Sequence, residues 1–344
     1  MNIALDSTYS VGPDLSGVGI YSREILDGLA RPHPGDRFTF CYRPHRFLRS
    51  FGERLPANAR RFLLGETRAP RSADVFHGLN QRLPHARLRR AVTTFHDLFV
   101  LTGEYSTPEF RQRFAEQARD AAARSDCIIA VSQFTARQVV DLLGVEEPRV
   151  RVVHHGVRPR TGAAATREKI VLHVGAIQRR KNIARLVDAF ERMDRGWQLV
   201  LAGSAGFGAA EIAARVDRSP SRERIRMLGY VPSSELANWY TRAMIFAFPS
   251  LDEGFGMPVL EAMASGTPVI ASNRSALPEV AGDAAWLVNP EDTEELAGAL
   301  VALTLDPNRR ADLSLRGLAR AARFRWGDAV EKTWQVYCEL AATS

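Results

Sequence analysis

The stretch FPSLDEGFGMPVLEAMASGTPVIAS, residues 248–272, decides how this sequence is interpreted. A predicted strand ends at Phe248, a loop with Gly254 and Gly256 follows, and a helix is predicted to start at Pro258. Glycine lets a backbone approach a ligand closely, and the free N–H groups at a helix N-terminus suit a phosphate. The stretch therefore predicts an anion-binding unit at the carboxyl end of a strand, where open α/β sheets bind their ligands.

Two glutamates lie in the same stretch. Glu253 is in the loop, and Glu261, eight residues later, is predicted on the first turn of the helix. Acidic side chains are unusual in an anion pocket unless each has another task, such as accepting hydrogen bonds from sugar hydroxyls. A simpler interpretation of Glu261 is an acidic residue that stabilises a helix N-terminus.

A second motif, HVGAIQRRKNIARL at 173–186, places three cations just after a strand that is predicted to end at Val174. Asn182 is the predicted N-cap of the next helix. Three cations between a strand end and a helix start would compensate a dianion such as a diphosphate. The alternative is a solvated basic turn.

Short apolar runs alternate with helical patterns along the chain, which indicates parallel α/β architecture in two Rossmann-like halves. Strands are predicted at Asn2–Asp6, Arg37–Tyr42, Ala91–Phe95, Cys127–Val131, Val150–His154, Lys169–Val174, Gln198–Ala202, Ile225–Leu228, Met244–Phe248 and Pro268–Ala271. Helices are predicted at Gly19–Leu29, Pro108–Arg124, Asn182–Met193, Ser233–Thr241, Pro258–Ser265, Asp292–Leu305, Asn308–Arg323 and Trp326–Leu340. The last helix would carry Val330, Trp334, Tyr337 and Cys338 on one face. The segment Arg158–Thr166 is the predicted linker.

The first half contains two weaker motifs. SGVGIYSRE at 16–24 is a poor dinucleotide fingerprint, because Ser22 replaces the third glycine, but its backbone N–H groups could approach a phosphate. TTFHDL at 93–98 puts His96 and Asp97 at a strand end, where a buried structural histidine and a ligand-contacting one are both open. The histidines have no metal-ligand spacing and no GxSxG elbow accompanies them, so zinc hydrolysis and serine catalysis are not supported.

Composition excludes several classes. The 344 residues are 45% hydrophobic and 25% charged, which is typical of a soluble globular protein of about two domains. No apolar run is long enough to span a membrane, and the N-terminal residues do not resemble a secretion signal. Three scattered cysteines predict neither disulfides nor a thiolate metal site. A reducing cytoplasmic compartment is expected.

Charge is divided unequally. Residues 1–163 contain 24 Arg and 17 acidic residues, whereas the remainder has 22 basic and 22 acidic residues. The whole net charge of +7 therefore lies in the first half, which is either an ordinary solvated surface or the side that meets an anionic partner such as a membrane, a phosphate-bearing lipid or nucleic acid.

Taken together, the glycine-rich first loop, the strand-end His-Asp, VGAIQRRKN, LGYVPSSEL and the stretch at 248–272 resemble the family 4 retaining glycosyltransferases, across nearly the whole chain. Glu253 and Glu261 match the E-x7-E element of that family. Arg179 stands where many members have Pro, so the sequence leaves open whether Arg179 or Arg180 binds phosphate.

The resemblance implies the α/β GT-B fold, with two Rossmann-like domains that face a cleft holding a nucleotide-sugar donor. It implies an N-terminal acceptor-binding domain of residues 1–162 plus 326–344, where the last helix crosses back, and a C-terminal donor-binding domain of residues 163–325. Trp326, Trp334 and Tyr337 would supply the apolar contacts of that helix.

The resemblance also assigns the site. Arg180 and Lys181 would hold the diphosphate, Glu253 the transferred sugar and Glu261 the ribose, with His96 beside the reacting sugar. The other donor contacts would come from Gly17, Val18, Tyr230, Val231, Gly254, Phe255, Gly256 and Met257. No cofactor and no divalent metal would be needed, and the anomeric configuration would be retained by same-face displacement, with a donor phosphate oxygen taking the acceptor proton.

The donor expected first is GDP-mannose, followed by UDP-glucose, UDP-linked amino sugars and dTDP-rhamnose. The acceptor would be a glycan or lipid-linked saccharide in O-antigen or exopolysaccharide assembly. A nicotinamide-dependent dehydrogenase is disfavoured by the imperfect glycine fingerprint, and a non-enzymatic nucleic-acid-binding protein would not need the E-x7-E loop, so no nucleic-acid partner is expected. Arg43–Phe51 and Arg82–Arg90 are the segments predicted to contact the inner face of an anionic membrane peripherally.

Overall fold

The computed structural model describes residues 1–158 and 166–342. The chain forms two compact units, each with its own sheet. The N-terminal unit consists of Met1–Thr102, Thr107–Gly156 and Arg325–Ser344, and the C-terminal unit of Gly103–Ser106 and Val157–Phe324. Most of the predicted linker Arg158–Thr166, and the predicted domain boundary at 162/163, lie outside the described residues.

The N-terminal unit is built on a seven-stranded parallel sheet of order β3-β2-β1-β4-β5-β6-β7. Its strands are β1 Asn2–Asp6, β2 Arg37–Tyr42, β3 Ala59–Leu63, β4 Val75–Gly78, β5 Ala91–Phe95, β6 Cys127–Ala130 and β7 Val150–Val152. Its helices are α1 Gly17–Ala30, α2 Pro44–Phe47, α3 Phe99–Thr102, α4 Pro108–Arg124, α5 Gln133–Leu143 and α13 Trp326–Ala342, with short 3-10 turns at Thr8–Ser10, Leu48–Gly52 and Glu147–Arg149.

The C-terminal unit is built on a six-stranded parallel sheet of order β10-β9-β8-β11-β12-β13. Its strands are β8 Glu168–Val174, β9 Gln198–Ala202, β10 Ile225–Gly229, β11 Ala243–Phe248, β12 Val269–Ser272 and β13 Trp286–Val288. Its helices are α6 Ile183–Phe190, α7 Ala209–Asp217, α8 Ser233–Arg242, α9 Met257–Ala264, α10 Leu277–Ala281, α11 Thr293–Leu305 and α12 Pro307–Ala321, with 3-10 turns at Arg179–Lys181 and Arg222–Arg224. The prediction of two Rossmann-like α/β halves is confirmed.

The central strands are apolar because helices cover both faces of each sheet. β11, AMIFAF, and β12, VIAS, are almost wholly buried, and β8 becomes buried from Ile170 onward. Local signals set the helix starts: Thr107 accepts a hydrogen bond from the Phe110 N–H at 3.3 Å, and Pro108 occupies the first turn of α4. Within the described residues no helix is long and apolar enough to cross a membrane.

The sequence prediction missed three strands and several helices. β4 and β13 are only four and three residues long, and β3, ARRFL, contains two arginines, so these segments do not stand out as apolar runs. The prediction that Cys338 lies on the buried face of the last helix is wrong: the buried residues are Trp326, Ala329, Val330, Thr333, Val336 and Tyr337, while Cys338 is exposed. The cysteine is one residue beyond the apolar stripe that ends at Tyr337.

The last helix, α13, belongs to the N-terminal unit, and buried polar contacts attach it there. The Tyr337 hydroxyl hydrogen-bonds His77 Nδ1 at 2.5 Å, and His77 Nε2 hydrogen-bonds the Thr94 hydroxyl at 2.8 Å. Trp334 stacks on His33, with ring centroids 3.7 Å apart. The helix is thereby held to β4, β5 and the loop after α1 by specific contacts as well as by apolar packing.

Candidate active site

The topology of the C-terminal sheet brings the cationic motif and the glutamate-containing loop together. β8 and β11 are neighbours; β9 and β10 follow on the side of β8, and β12 and β13 follow on the side of β11. Their carboxyl ends therefore form the topological switch point, where open α/β sheets bind ligands. The RRK motif follows β8, and the loop with Glu253 follows β11. Two segments about 70 residues apart in sequence meet at this point.

A buried ion cluster occupies the switch point. Lys181 Nζ lies 2.5 Å from Glu253 Oε1, and Arg180 Nη1 lies 3.0 Å from the same oxygen. All three side chains are less than 10% exposed. Arg180 also donates a hydrogen bond to the Asp252 carbonyl, and the Leu251 N–H donates to the Arg180 carbonyl at 2.8 Å. Two cations share one carboxylate, so the cluster carries a net positive charge.

The two cations also set the protonation state of Glu253. Burial alone would raise the pKa of this carboxyl, but Arg180 and Lys181 outweigh burial and lower the pKa to about 2. Glu253 is therefore ionised at neutral pH and acts as a hydrogen-bond acceptor rather than as an acid. Its backbone is fixed as well, because the Glu253 N–H donates to Ser275 Oγ at 3.0 Å.

Arg179 is separate from this cluster. Its guanidinium pairs with the exposed Glu211, which raises the pKa of Arg179, and it lies over the Phe207 ring at 5.4 Å. The three cations do not form one cluster in this structure: Arg180 and Lys181 contact Glu253, while Arg179 pairs with Glu211 near the start of α7. The binding of phosphate by these cations stays a prediction.

Asn182 occupies the predicted N-cap position of α6 but does not cap with its side chain. Its backbone is left-handed, with φ 57°, and its Nδ2 donates to the Pro249 carbonyl at 3.1 Å and the Pro290 carbonyl at 2.6 Å. The side chain therefore joins the turn after β8 to the loop after β11 and to the segment after β13. This correction gives Asn182 a role in holding the site together.

The loop before α9 needs its glycine. Gly256 has φ +103°, and a Cβ there would lie 2.5 Å from Leu277 Cδ2. Gly254 and Phe255 are buried, and Met257 is half-buried as the first residue of α9. Within the described residues no side chain caps this N-terminus, because Gly256 has none. The first-turn N–H groups of α9 are therefore in the position that the sequence predicted for anion binding.

Glu261 is on the second turn of α9, not the first, because the helix begins at Met257. It is half-buried, and its Oε2 accepts a hydrogen bond from the Tyr240 hydroxyl at 2.8 Å. The simple interpretation as a helix-start acid is therefore wrong, since that effect is confined to the first turn. Tyr230 and Val231 follow β10 at the same carboxyl edge, two strands from β8, and Tyr230 is 48% exposed.

The N-terminal unit places His96 in a neutral aromatic cluster. His96 Nε2 lies 2.9 Å from the Leu79 carbonyl, so it carries the proton that is donated there, and Nδ1 accepts from His155 Nε2 at 3.4 Å. Tyr21 contacts His96 edge-on, with ring centroids 4.8 Å apart. Burial lowers the pKa of His96 to about 4, and the imidazole is neutral at pH 7. Both interpretations of His96 stay open, because the ring is packed among aromatic neighbours and yet partly reached by solvent.

Gly17 and Val18 form the first turn of α1 rather than a loop before it. Ser16 caps the helix by accepting a hydrogen bond from the Gly19 N–H at 3.3 Å. A Cβ on Gly19 would lie 2.7 Å from the Tyr9 carbonyl, whereas a Cβ on Gly17 would meet nothing within 4 Å. Gly19 is therefore required by packing, and the space at Gly17 is open to an approaching ligand.

Comparison with known proteins identifies the family. The model described as Glycosyl transferases group 1 matches residues 159–319, and the model described as Glycosyltransferase Family 4 matches residues 16–161. The O-antigen chain mannosyltransferase B of Escherichia coli is 32% identical over 281 residues, which cover 76% of this chain and 74% of that protein. This chain belongs to the family 4 glycosyltransferases.

Solved structures agree with the GT-B fold of this glycosyltransferase. Sucrose-phosphate synthase from Thermosynechococcus elongatus superimposes with a TM-score of 0.80 at 24% identity, over 100% of both chains. Anabaena HepE, solved in complex with UDP and glucose, superimposes with a TM-score of 0.73 at 18% identity, over 99% of both chains. The predicted GT-B architecture is confirmed. Within the described residues no group of three or more His, Cys, Asp or Glu side chains could hold a metal ion.

Sequence reasoning missed several side chains that support the site of this glycosyltransferase. The Phe248 ring lies 4.7 Å below Lys181 Nζ and stacks on His173, whose Nδ1–H donates to the Ala247 carbonyl at 3.0 Å. Tyr240, which holds Glu261, is 21 residues away in sequence. Phe248 was visible only as the last residue of a strand, and no sequence pattern linked Tyr240 to Glu261.

Proposed function

We propose that this family 4 enzyme is a retaining hexosyltransferase that transfers mannose from GDP-mannose to a glycan or lipid-linked saccharide in polysaccharide or O-antigen assembly. The observation that carries the proposal is the buried cluster of Arg180, Lys181 and Glu253 at the switch point of the C-terminal sheet. The mannosyltransferase activity in the name of the E. coli relative supports the choice of sugar.

Arg180 and Lys181 bind the donor diphosphate and stabilise the departing nucleoside diphosphate. Their ammonium and guanidinium groups are already fixed by Glu253 and by the Asp252 carbonyl, so they need little reorganisation as charge develops on the leaving group. Gly254–Met257 add backbone N–H groups at the start of α9. Together these donors offset the phosphate charge, so the proposed reaction needs no divalent metal.

Glu253 accepts hydrogen bonds from hydroxyls of the transferred sugar. Its low pKa, about 2, keeps it ionised and therefore a hydrogen-bond acceptor at neutral pH. Glu261, oriented by Tyr240, accepts from the ribose hydroxyls, and Tyr230 and Val231 border the base. The assigned contacts of His96, Gly17 and Val18 stay predictions.

The transfer step is a same-face displacement. The bond between the anomeric carbon and the diphosphate oxygen breaks, and a bond from the acceptor hydroxyl oxygen forms on the same face of the sugar. The released phosphate oxygen takes the acceptor proton, so atoms and charge balance without a protein base. The protein supplies positioning and charge stabilisation.

The experiment is a ligand and donor panel. Thermal stabilisation by GDP, UDP, dTDP and ADP identifies the nucleotide, because a ligand at ~100 times its dissociation constant adds ~2.7 kcal/mol. We expect GDP to stabilise most, GDP-mannose to be consumed with EDTA present, and NMR of the product to show the donor's anomeric configuration. Preference for another nucleotide would reject GDP-mannose. An inverted product or a requirement for Mg²⁺ or Mn²⁺ would reject the mechanism.

We further propose that the enzyme contacts an anionic membrane through the short helical segment after β2. Leu48 and Phe51 are 81% and 62% exposed, and the exposed Arg49 lies between them, as expected for an interfacial segment. One part of the sequence prediction is wrong: Arg43 is 5% exposed and binds Asp6 and Glu66, so it does not face lipid.

Sedimentation with vesicles tests this contact. We expect binding to phosphatidylglycerol vesicles at low salt and release at high salt, with no binding to phosphatidylcholine. A variant with Leu48→Ser and Phe51→Ser should lose most of the binding, whereas Leu142→Ser, which also changes an exposed leucine of the N-terminal unit, should not. Equal recovery of all proteins in the supernatant would point to a soluble acceptor.

A further inference from the structure

The N-terminal unit has a large cavity at the amino edge of its sheet, opposite to the carboxyl edge. The cavity is about 1090 Å³ and lies at the amino ends of three parallel strands, since Met1, Asp74 and Arg90 immediately precede β1, β4 and β5 and all three line it. Asp6, at the other end of β1, is about 16 Å away at ~3.3 Å per residue. The cavity is therefore distinct from the carboxyl edge that carries His96.

The lining of this cavity is strongly cationic. Five arginines contribute to it, and they are Arg68, Arg71, Arg87, Arg89 and Arg90. Among the described lining residues the one carboxylate is Asp74, which is already engaged by the Asn2 N–H at 2.8 Å and by Arg89 at 3.1 Å. The cavity therefore gathers an excess of four positive charges, more than half of the net +7 of the whole chain.

Several of these guanidinium groups are available to a ligand. Arg71 and Arg87 are exposed, and neither side chain forms an ion pair or hydrogen bond with any group in residues 1–158 and 166–342. Arg68, also exposed, contacts the Phe62 ring at 5.2 Å. By contrast, Arg43, which follows β2, and Arg82, which does not line the cavity, share Glu66 at 2.5 Å each. The cationic excess is thus concentrated where the surface is concave.

The chemistry of the lining specifies the class of ligand. Guanidinium groups bind phosphate oxygens in a bidentate manner, and several of them around one cavity fit a ligand with more than one phosphate. None of the described lining residues is aromatic, so the cavity lacks the stacking surfaces with which proteins bind nucleic-acid bases. Its volume is as large as that of ordinary small-molecule sites.

We propose that this cavity, which we call the arginine cavity, is a second anion site that binds a ligand carrying two or more phosphate groups. It is independent of the donor site in the C-terminal unit and does not rest on the function proposed above. The shared chemistry is a cluster of phosphates, which is supplied either by a soluble polyphosphate compound or by the head groups of anionic lipids.

The test measures tripolyphosphate binding by calorimetry at low salt, with the full chain carrying Lys181→Ala so that the donor site contributes little. The cavity variant adds Arg68→Gln, Arg71→Gln and Arg87→Gln. The matched control adds Arg31→Gln, Arg119→Gln and Arg137→Gln, which remove the same charge from exposed positions of the same unit away from the cavity. At ~1 kcal/mol for each arginine, we expect about 100-fold weaker binding in the cavity variant and little change in the control.

Vesicles of phosphatidylglycerol, compared with phosphatidylcholine, distinguish the two sources. If the cavity variant loses vesicle binding and none of the proteins binds tripolyphosphate, the ligand is a lipid head group. If the cavity variant loses tripolyphosphate binding and none of the proteins binds the vesicles, the ligand is a soluble compound. Equal losses in both variants, or no binding of either probe, would overturn the proposal. With Lys181 restored, the cavity variant should keep its glycosyl-transfer rate within about twofold. Failure of the cavity proposal is therefore distinguishable from failure of the proposed transfer activity.

Discussion

The carboxyl edges of the two sheets have a similar topology and carry different side chains. The C-terminal unit has the strand order 3-2-1-4-5-6 in its own numbering, and the N-terminal unit has the same order with a seventh strand added, so each has a switch point beside its first strand. In the C-terminal unit that edge carries a buried ion cluster, Arg180, Lys181 and Glu253. In the N-terminal unit it carries neutral rings, among them Tyr21, His96 and His155, and a buried ion pair in which Arg43 compensates Asp6. The fold fixes where a site forms, and the side chains in the loops decide what it binds.

Buried ionisable side chains are accommodated differently at the two edges. Burying an isolated charge is costly, so the cations at the C-terminal switch point are held by a carboxylate and by carbonyl oxygens. At the other edge, burial keeps the histidines neutral, because it lowers the pKa of His77 to about 3 and that of His155 well below its usual value. The cationic excess is thus at the C-terminal edge, where the carboxylate is outnumbered two to one.

The largest expected effect tests the ionic edge. Lys181→Ala should lower kcat/KM by ~10²-fold or more, as expected when a preorganised charge at a leaving group is lost. Arg179→Ala is the matched control, because Arg179 is in the same turn but binds the exposed Glu211. Steady-state kinetics with the donor from the nucleotide panel measures both. An equal loss in the two variants would mean that the buried cluster has no special part in transfer.

The neutral histidines should make the N-terminal unit sensitive to acid. A buried histidine whose pKa is lowered in the folded state stabilises the fold fully above its unfolded pKa, about 6.5, and that stability is lost as pH falls toward the folded pKa. Three such groups, His77, His96 and His155, are in the N-terminal unit, whereas His173 is in the C-terminal unit. Each lowers the unfolding free energy by up to about 1.4 kcal/mol per pH unit across that window.

Hydrogen exchange at pH 7, 6 and 5, corrected for the intrinsic exchange rate, measures this in the full chain. Peptides from β4, β5 and α13 should lose protection before peptides from β8 and β11. Glu253 should contribute little there, because its pKa of about 2 moves its own loss of stability to pH values below the ordinary 4.5. Earlier opening of the C-terminal sheet would contradict the comparison.

A smaller effect separates the two glutamates of the ionic edge. Glu261→Gln should raise the KM for the donor about tenfold with little change in kcat, since a ribose contact changes little in the transition state. Glu253→Gln should mainly lower kcat, because sugar hydroxyl contacts position the reacting ring. Tyr240→Phe removes the hydrogen bond to Glu261 and should reproduce part of the KM effect. Wild-type kinetics in all three variants, with reduced stability, would make these residues structural.

The smallest effect concerns the buried polar contacts of α13. Tyr337→Phe removes the hydrogen bond to His77 Nδ1 and should lower the unfolding free energy by about 1 kcal/mol. Tyr9→Phe is the control, because Tyr9 is 45% exposed and should change stability little. Urea denaturation followed by tryptophan fluorescence compares the two. No difference between them would show that apolar packing alone holds the helix.

Much of the fold was predictable from local patterns. β1, β2, β5 and β9 have the predicted bounds, because each is a run of apolar residues flanked by polar or turn residues. Helix α4 also has its predicted bounds, since Thr107 and Pro108 mark its start. Short strands such as β4 and β13 could not be predicted, because pairing with neighbours distant in sequence defines them.

The candidate site was predictable in its members but not in its arrangement. The motifs identified Arg180, Lys181, Glu253 and Glu261, since charged residues beside glycine loops at strand ends are visible in any sequence. Spacing could not separate Arg179 from Arg180, because adjacent residues on a 3-10 turn point in different directions and only the position of Glu211 draws Arg179 away. The side-chain role of Asn182 was missed, because its acceptors Pro249 and Pro290 are 67 and 108 residues away.

By itself, the sequence determined the two α/β halves, the glycine loop that enters a helix after β11, and the uneven charge, because periodicity, glycine placement and net charge are local or additive properties. Tertiary structure alone decided which cations share Glu253, which hydroxyl holds Glu261, that Arg43 is buried, and that five arginines from two separate loops line one cavity. Those facts depend on distances between residues far apart in the chain, and parallel strand pairing sets these distances only when the whole sheet forms.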